Sequence, residues 1–480
     1  MAIYTKLYHE TDALSLVAMP PLSSQPFFMY TSRALDHEWL QGCAGFHDYL
    51  QTSQRENLGE VHMRRLLARH PLRTHNPDRA RMFFVPIFEY ASYALDDCNG
   101  STHSARMTAA RDELVASSHW RQHRGLDHIF VSTAWSYASR TRPFRTMWSR
   151  MAPLSEALRC AMAGRYKDER LSVMSAVGNC ALELPYPAPA VHPLLRRPPA
   201  PDGGRERPLL LHFAGSFDVC CHGRAVRCTI AQLMVSQRDD PRILIRPTPN
   251  ATFWGRCTRH AMATLHKLQN GSSVALRKHD RGRGASRALP GRRLMAAALP
   301  VSSSSSGGRV WGGRELRDLR PVGSSGIEQS AREMAAAIFC LSPAGDTCVT
   351  SRLYAAIAAG CIPVVVCDPL RGAFPAQTQY PTFWVKVGEK EFTDSPGELL
   401  RRLRAMPPGE IRGRQQALAA HRADVIYDDP ESRVATNFLE ALCSKCNLGN
   451  RRSVGATSHM CRPLPTPASK VPPSDYALWA

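Results

Sequence analysis

Short apolar runs recur along the chain, separated by longer stretches of mixed polarity, and this spacing predicts strands alternating with helices. Phe27-Phe28-Met29-Tyr30, preceded by Pro26, reads as a first strand. A helix is expected around His62 to His70. The turn signal Asn76-Pro77-Asp78 then leads into Ala80 to Pro86, a buried strand closed by proline. Asp127 to Ser132 supplies another strand. Apolar strands interleaved with helices imply a parallel sheet covered on both faces.

The same alternation resumes after residues 187–208, a stretch rich in Pro, Arg and Gly that reads as a linker. It separates a first α/β domain over 27–186 from a second over 209–425, with an irregular lead-in over 1–26. Leu209 to Ser216 reads as a strand ending in a glycine turn, followed by a helix near Ala225 to Val235 and a strand over Arg242 to Ile245. Residues 271–320 break the order: they hold five consecutive serines and eleven basic against three acidic residues, a composition expected of a flexible surface insertion. Order returns with a helix over Gln329 to Ala337, a strand over Ile338 to Leu341, a loop over Ser342 to Thr347 and a helix from Ser351 to about Ala359. Gly360 ends that helix, and Cys361 to Cys367 is the next strand. Helices near 396–403 and 410–423 finish this domain. The segment 426–480 is expected to hold a last helix and a disordered tail.

Residues 338–368 carry the chemistry. Ligands of open α/β sheets bind at the carboxyl ends of strands. Here a polar, glycine-containing loop and a helix N-terminus converge at such an end. With Ser351 as the expected cap and Arg352 beside it, free amides, helix dipole and a guanidinium fork form a place suited to a diphosphate.

Composition narrows the picture. The chain has 480 residues, enough for two or three domains, and a net charge of +20. Only eight of its 61 basic residues are lysine. No nucleic-acid motif accompanies the charge, so the arginine skew is read as compositional and no nucleic-acid partner is expected. No span reaches the roughly 18 apolar residues of a membrane helix, and no signal pattern opens the chain. A membrane association is therefore expected only if an anchor lies outside this sequence. Cys340, Cys361 and Cys367 sit in apolar runs and read as small core hydrophobes, while pairing among the other cysteines is left open. Cys443 and Cys446, with His459 and Cys461 beyond, show no finger pattern, and no metal site is expected.

Several ordered motifs resemble the exostosin family. Phe339-Cys340-Leu341-Ser342-Pro343-Ala344-Gly345-Asp346, Ser351-Arg352-Leu353-Tyr354 and Gly360-Cys361-Ile362-Pro363-Val364-Val365 are similar to its donor-site region. Ala80 to Pro86, the set Trp120, Gly125, Asp127 and His128, and Phe213-Ala214-Gly215 with Arg227 match further segments in the right order. The resemblance implies inverting glycosyltransferases built from two Rossmann-like domains facing a cleft, the GT-B arrangement. It also implies a nucleoside-diphosphate sugar as donor, a glycan or glycoprotein as acceptor, no cofactor or obligatory metal, and a Golgi location behind an N-terminal anchor. Donor-binding residues expected from it are Gly215, Arg227, Ser342, Gly345, Asp346, Ser351 and Arg352. One departure stands out: the acidic residue usual three positions after the helix arginine is Ala355 here. Without that carboxylate, either Asp346 substitutes or the chain is an inactive glycan- or partner-binding relative. An inverting transfer also needs a general base. Glu89, after a strand end, and His128 are the candidates.

Overall fold

In a computed structural model, the described residues are 25–47, 55–123, 125–133, 162–165, 181–188, 207–219, 222–247, most of 256–264, 326–345 and 347–446. Nearly all of the expected lead-in and of the linker, the 271–320 insertion and the tail beyond residue 446 lie outside them. The chain forms two compact units. One gathers the described residues up to Pro187 together with Ala373–Thr378 and those from Glu431 onward, and the other holds the rest.

The first unit is built on six parallel strands: β1 (Phe27–Met29), β2 (Arg73–Thr74), β3 (Met82–Phe84), β4 (His128–Ser132), β5 (Met162–Arg165) and β6 (Ala181–Glu183). They lie in the order β2-β1-β3-β4-β5-β6. Its helices begin with α1 (Gly59–Ala68), α2 (Glu89–Leu95), α3 (His103–Ala116) and α4 (Ser118–His123). Every residue of β3 and β4 is buried, as a sheet covered on both faces requires. The turn from α4 into β4 depends on Gly125. Its φ is +77°, and a Cβ there would lie 2.4 Å from the Trp120 ring, so both the backbone and the packing demand glycine.

The second unit has five parallel strands: β7 (Leu209–Ala214), β8 (Ile243–Arg246), β9 (Ala337–Pro343), β10 (Ile362–Val366) and β11 (Val385–Lys386). Their order is β11-β10-β9-β7-β8. Around them lie α5 (Arg224–Ser236), α6 (Gly326–Ala335), α7 (Ser351–Ala358), α8 (Glu389–Asp394), α9 (Pro396–Ala405) and α10 (Pro408–His421). β9 and β10 pair in parallel from Phe339–Ile362 to Pro343–Val366, as their two apolar runs predict. Phe213, Phe339, Leu341, Val364 and Val366 meet Ile230, Leu399 and Leu403 in one core. Gly360, at φ +65°, turns the chain from α7 into β10. A last helix, α11 (Val434–Cys446), packs in the first unit against α1, β5 and β6, with Thr436 Oγ1 3.1 Å from His70 Nε2.

The cysteines correct the sequence reading. Cys340 and Cys361 are joined by a disulfide, and so are Cys348 and Cys367. They are core residues, but bonded ones. Adjacent parallel strands bring the first pair together, since Cys340 lies in β9 and Cys361 immediately precedes β10. Cys43–Cys98 and Cys228–Cys257 are bridged as well. Closing loops of roughly 20 residues, as the two bridges around β9 and β10 do, is worth about 3 kcal/mol each.

Candidate functional site

The strand order of the second unit has a topological consequence. The chain leaves β7 for β8 on one side, then returns to lay β9, β10 and β11 on the other. The loops after β7 and β9 therefore run in opposite directions from the carboxyl edge and open a crevice between them, the place where doubly wound sheets bind ligands. Gly215 and Ser216 follow β7, and Ala344 to Thr350 follow β9. The N-termini of α5 and α7 are at the same edge.

Two arginines organise this edge. Arg352, in the first turn of α7, donates from Nη2 to the Ala214 carbonyl at 2.6 Å and from Nε at 3.2 Å, with its guanidinium 4.8 Å from the Phe213 ring centre. Gly215 makes this possible: a Cβ there would fall 2.2 Å from Arg352 Nη2. Arg227, on α5 and buried, donates from Nε to the Ala344 carbonyl at 2.8 Å and from Nη1 to the Ser216 carbonyl at 2.7 Å. It thus ties the loop after β7 to the loop after β9. The Gly223 amide adds a bond to the Gly345 carbonyl at 2.8 Å, and a Cβ on Gly223 would overlap the Ala344 carbonyl at 2.0 Å. Gly345 faces Arg227, whose Nη2 would sit 3.2 Å from an added Cβ. Gly215, Arg227, Gly345, Ser351 and Arg352 are therefore brought to one edge. Ser342 is buried near the end of β9, and its hydroxyl has no hydrogen-bond partner among the described residues. Asp346 lies outside the described residues.

The cap of α7 differs from expectation. Thr350, with extended backbone, is the N-cap and accepts from the Arg352 amide at 3.3 Å, while Ser351 is the first helical residue. Two adjacent hydroxyl residues satisfy the same preference, and only the backbone angles tell them apart. Ala355 is buried one turn further on.

A buried ion cluster beneath this edge was not visible in the sequence. His212 in β7 meets Glu333 of α6 at 3.1 Å, and Arg246 of β8 meets the same carboxylate at 2.7 Å. Burial opposes the Glu333 charge, but the hydrogen bonds from His212 and Arg246 outweigh it and hold its carboxyl below the ordinary range. Burial pushes His212 below the ordinary histidine value despite that partner. The three residues come from segments far apart in the chain, so no local pattern announces them.

The two candidate bases lie in the first unit at opposite ends of its sheet. Glu89 begins α2, just past the carboxyl end of β3, and is fully buried with Ser132 donating to its Oε2. The first unit's own switch point falls between β1 and β3, so Glu89 belongs to its ligand edge. Beside it, Glu60 accepts from the amides of Ala91 at 2.8 Å and Tyr90 at 3.1 Å. Burial, reinforced by Glu89, pushes the Glu60 carboxyl well above the usual value, although the backbone amides pull the other way. His128 starts β4 at the amino edge and is completely buried. Its Nδ1 lies 2.9 Å from the Asp127 carboxylate and its Nε2 3.0 Å from the Tyr30 hydroxyl, between the rings of Phe83, Tyr30 and Trp120. A carboxylate only accepts, so Nδ1 carries the proton and Nε2 accepts from Tyr30. Burial lowers the His128 pKa below the ordinary histidine value, although the Asp127 carboxylate pulls the other way. Trp120, Gly125, Asp127 and His128 together build the turn into β4.

Two parallel α/β units, with cationic loops at the switch point of one, define a Rossmann-like architecture suited to nucleotide-linked substrates. A profile of the Exostosin GT47 domain matches residues 27–403, so the chain belongs to the exostosin GT47 family of glycosyltransferases. It is similar to a probable β-1,4-xylosyltransferase, IRX10L of Arabidopsis thaliana, with 24% identity over 366 residues, covering 75% of this chain and 67% of that protein. It is also similar to a probable glucuronoxylan glucuronosyltransferase, IRX7 of Arabidopsis thaliana, with 31% identity over 123 residues, covering 25% of this chain and 27% of the relative. A probable arabinosyltransferase, ARAD1 of the same plant, is 30% identical over 122 residues, covering 25% of this chain and 26% of the relative. The IRX7 and ARAD1 matches thus span about a quarter of those proteins. No helix among the described residues is long and apolar enough to cross a membrane.

Proposed function

We propose that the chain transfers a sugar, with inversion, from a nucleoside-diphosphate sugar to a glycan or glycoprotein acceptor, its two Rossmann-like domains facing a cleft in the GT-B manner. The observation that carries this reading is the convergence at the β7/β9 switch point of the Gly215 turn, the N-terminus of α7 and the Arg352 guanidinium. Amides and a guanidinium there neutralise the departing diphosphate, a role that calls for no obligatory metal or other cofactor. Arg352 and Ser351 contact the phosphates. Arg227 positions the Ser216 and Ala344–Gly345 loops, the absent Cβ atoms of Gly215 and Gly345 let the Arg352 and Arg227 guanidiniums approach, and Ser342 supports the same loop from near the end of β9. Asp346 stands in for the missing carboxylate at Ala355. In the first unit Glu89 takes the acceptor hydroxyl proton, reached through the Ser132 hydroxyl that donates to it, as the new glycosidic bond forms and the anomeric bond to the diphosphate breaks. His128 acts in this reading as a positioning residue of the sheet.

The similarity to a probable glucuronoxylan glucuronosyltransferase and a probable β-1,4-xylosyltransferase points to a xylan as the acceptor class. Four disulfides among the described residues favour an oxidising compartment, and with the family resemblance they favour the Golgi lumen. A second reading, an inactive glycan- or partner-binding relative, is favoured by Ala355 alone. Loss of a charge-assisted contact to the donor ribose is worth about 1.5–3 kcal/mol. Hydrolysis assayed over a panel of nucleotide sugars tests both readings. Preferential cleavage of one donor supports the transferase, nucleotide binding without turnover supports the second reading, and neither binding nor turnover overturns both.

A further inference from the structure

The Cys348–Cys367 bridge is set apart from the others by what surrounds it. His222, in the turn before α5, brings Nε2 to 3.4 Å from Cys348 Sγ and 3.8 Å from Cys367 Sγ. Glu389, the first residue of α8, brings Oε1 to 2.8 Å from the same His222 Nε2. One ligand atom from each of the four residues lies within 4.8 Å of the other three, and among the described residues this is the one such group of His, Cys and acidic side chains. Both sulfurs are buried and the other two groups half-buried. Glu389 is held in place from behind: its Oε1 accepts from the Asp368 amide at 3.1 Å, and its own amide donates to Asp368 Oδ1 at 3.1 Å.

Two sulfurs, an imidazole and a carboxylate are the ligand types of a tetrahedral zinc site. With metal–ligand bonds of about 2.0–2.3 Å, the edges of such a tetrahedron are about 3.3–3.8 Å. The histidine–sulfur separations already match this, and the imidazole–carboxylate pair needs to part by about half an ångström. The four ligands come from four separate segments that the sheet brings together: the loop after β7, the loop after β9, the end of β10 and the start of α8.

We propose that Cys348, Cys367, His222 and Glu389 form a redox-gated site for a thiophilic divalent cation of the zinc class. In the bridged state described above, the sulfurs are bonded to each other and the site is closed. A dithiol opens it: its two sulfhydryls become a disulfide while the Cys348–Cys367 bond takes up the two electrons and two protons, giving two thiols. The cation then displaces both thiol protons, the proton on His222 Nε2 shifts to Nδ1, and Nε2 and the Glu389 carboxylate complete the shell. In either state the loop after β9 stays fastened to the end of β10, by a covalent bond or by a metal. The site takes His222 and Cys348 from the same two loops that bound the donor crevice, but its occupancy does not depend on the function proposed above.

The test uses the intact chain and cobalt(II), whose absorption reports thiolate ligation and tetrahedral geometry. The protein is reduced with a dithiol, freed of it by gel filtration under nitrogen, and titrated with cobalt(II) beside an oxidised sample. One cobalt per reduced chain with a thiolate-to-cobalt charge-transfer band, and none in the oxidised chain, is the expected result. His222→Ala and Glu389→Gln, which keep every cysteine, are expected to weaken binding at least about tenfold. Cys348→Ser with Cys367→Ser is expected to abolish the band. No band in the reduced wild type, an equal band in the double serine variant, or unchanged affinity in both His222→Ala and Glu389→Gln would overturn the site.

Discussion

The two units share one topology and use it in opposite electrostatic senses. Each is a parallel sheet whose first strand is flanked by the second on one side and the third on the other, so each has a switch point at its carboxyl edge. In the second unit that edge holds the guanidiniums of Arg227 and Arg352 and a capped helix N-terminus. In the first it holds the buried carboxyls of Glu60 and Glu89, tied to backbone amides and to Ser132. A cationic edge suits a leaving diphosphate and a buried carboxyl suits proton transfer, which is the contrast that the proposed glycosyl transfer would draw on.

The contrast breaks first at Glu89. Glu89→Gln keeps the shape and removes the basic oxygen pair, so turnover is expected to fall about 10²- to 10⁴-fold while nucleoside-diphosphate affinity stays as in the wild type. Steady-state kinetics beside a binding titration checks this, and unchanged turnover would remove the first unit from the chemistry. Arg227→Ala comes next. It strands two carbonyls, those of Ser216 and Ala344, at about 1–3 kcal/mol apiece, so both the melting temperature and the nucleotide affinity are expected to drop.

A pH series sharpens the same contrast through two buried acids with opposite shifts. Glu60 has a raised folded-state pKa, so its contribution is full below its ordinary value and is lost as pH rises through the folded one. Glu333 has a lowered one, so its contribution is present above the ordinary value and is lost as pH falls through the folded value. Urea unfolding at several pH values is expected to show Glu60→Gln flattening the decline that sets in as pH rises above the ordinary carboxyl value, and Glu333→Gln flattening the loss as pH falls below it. The second substitution should also cost about 1.5–3 kcal/mol near neutrality from the lost His212 and Arg246 bonds. The smallest effect separates the two hydroxyls at α7: Thr350→Ala is expected to cost about 1 kcal/mol as the true cap, against a few tenths for Ser351→Ala.

Legibility followed hydrophobic contrast. β9, α7 and β10 were readable to within about two residues, because buried parallel strands are unbroken apolar runs and Gly360 punctuates them. β5 and β6 were not, since Met162–Arg165 and Ala181–Glu183 are short and carry no such run. α3 escaped for another reason: its buried face includes His103 and Arg106, with Arg106 donating to Ser92 and to the Ser92 and Asp96 carbonyls, so the apolar period is interrupted by satisfied polar groups. At the site, Arg352 and its loop were legible because they are contiguous with the capped helix. The disulfide partners, the His212–Glu333–Arg246 cluster and the His222–Glu389 pair join residues that only the folded sheet makes neighbours.

The central claim is that the β7/β9 edge of the second unit binds a nucleoside diphosphate through Arg352. Calorimetric titration of UDP into wild type, Arg352→Ala and Glu89→Gln, with a melt of each protein without ligand, tests it directly. Arg352→Ala is expected to remain folded and to bind about 10- to 100-fold more weakly, the equivalent of about 1.5–3 kcal/mol, while Glu89→Gln binds as wild type does. A folded Arg352→Ala protein with wild-type affinity for UDP would contradict it.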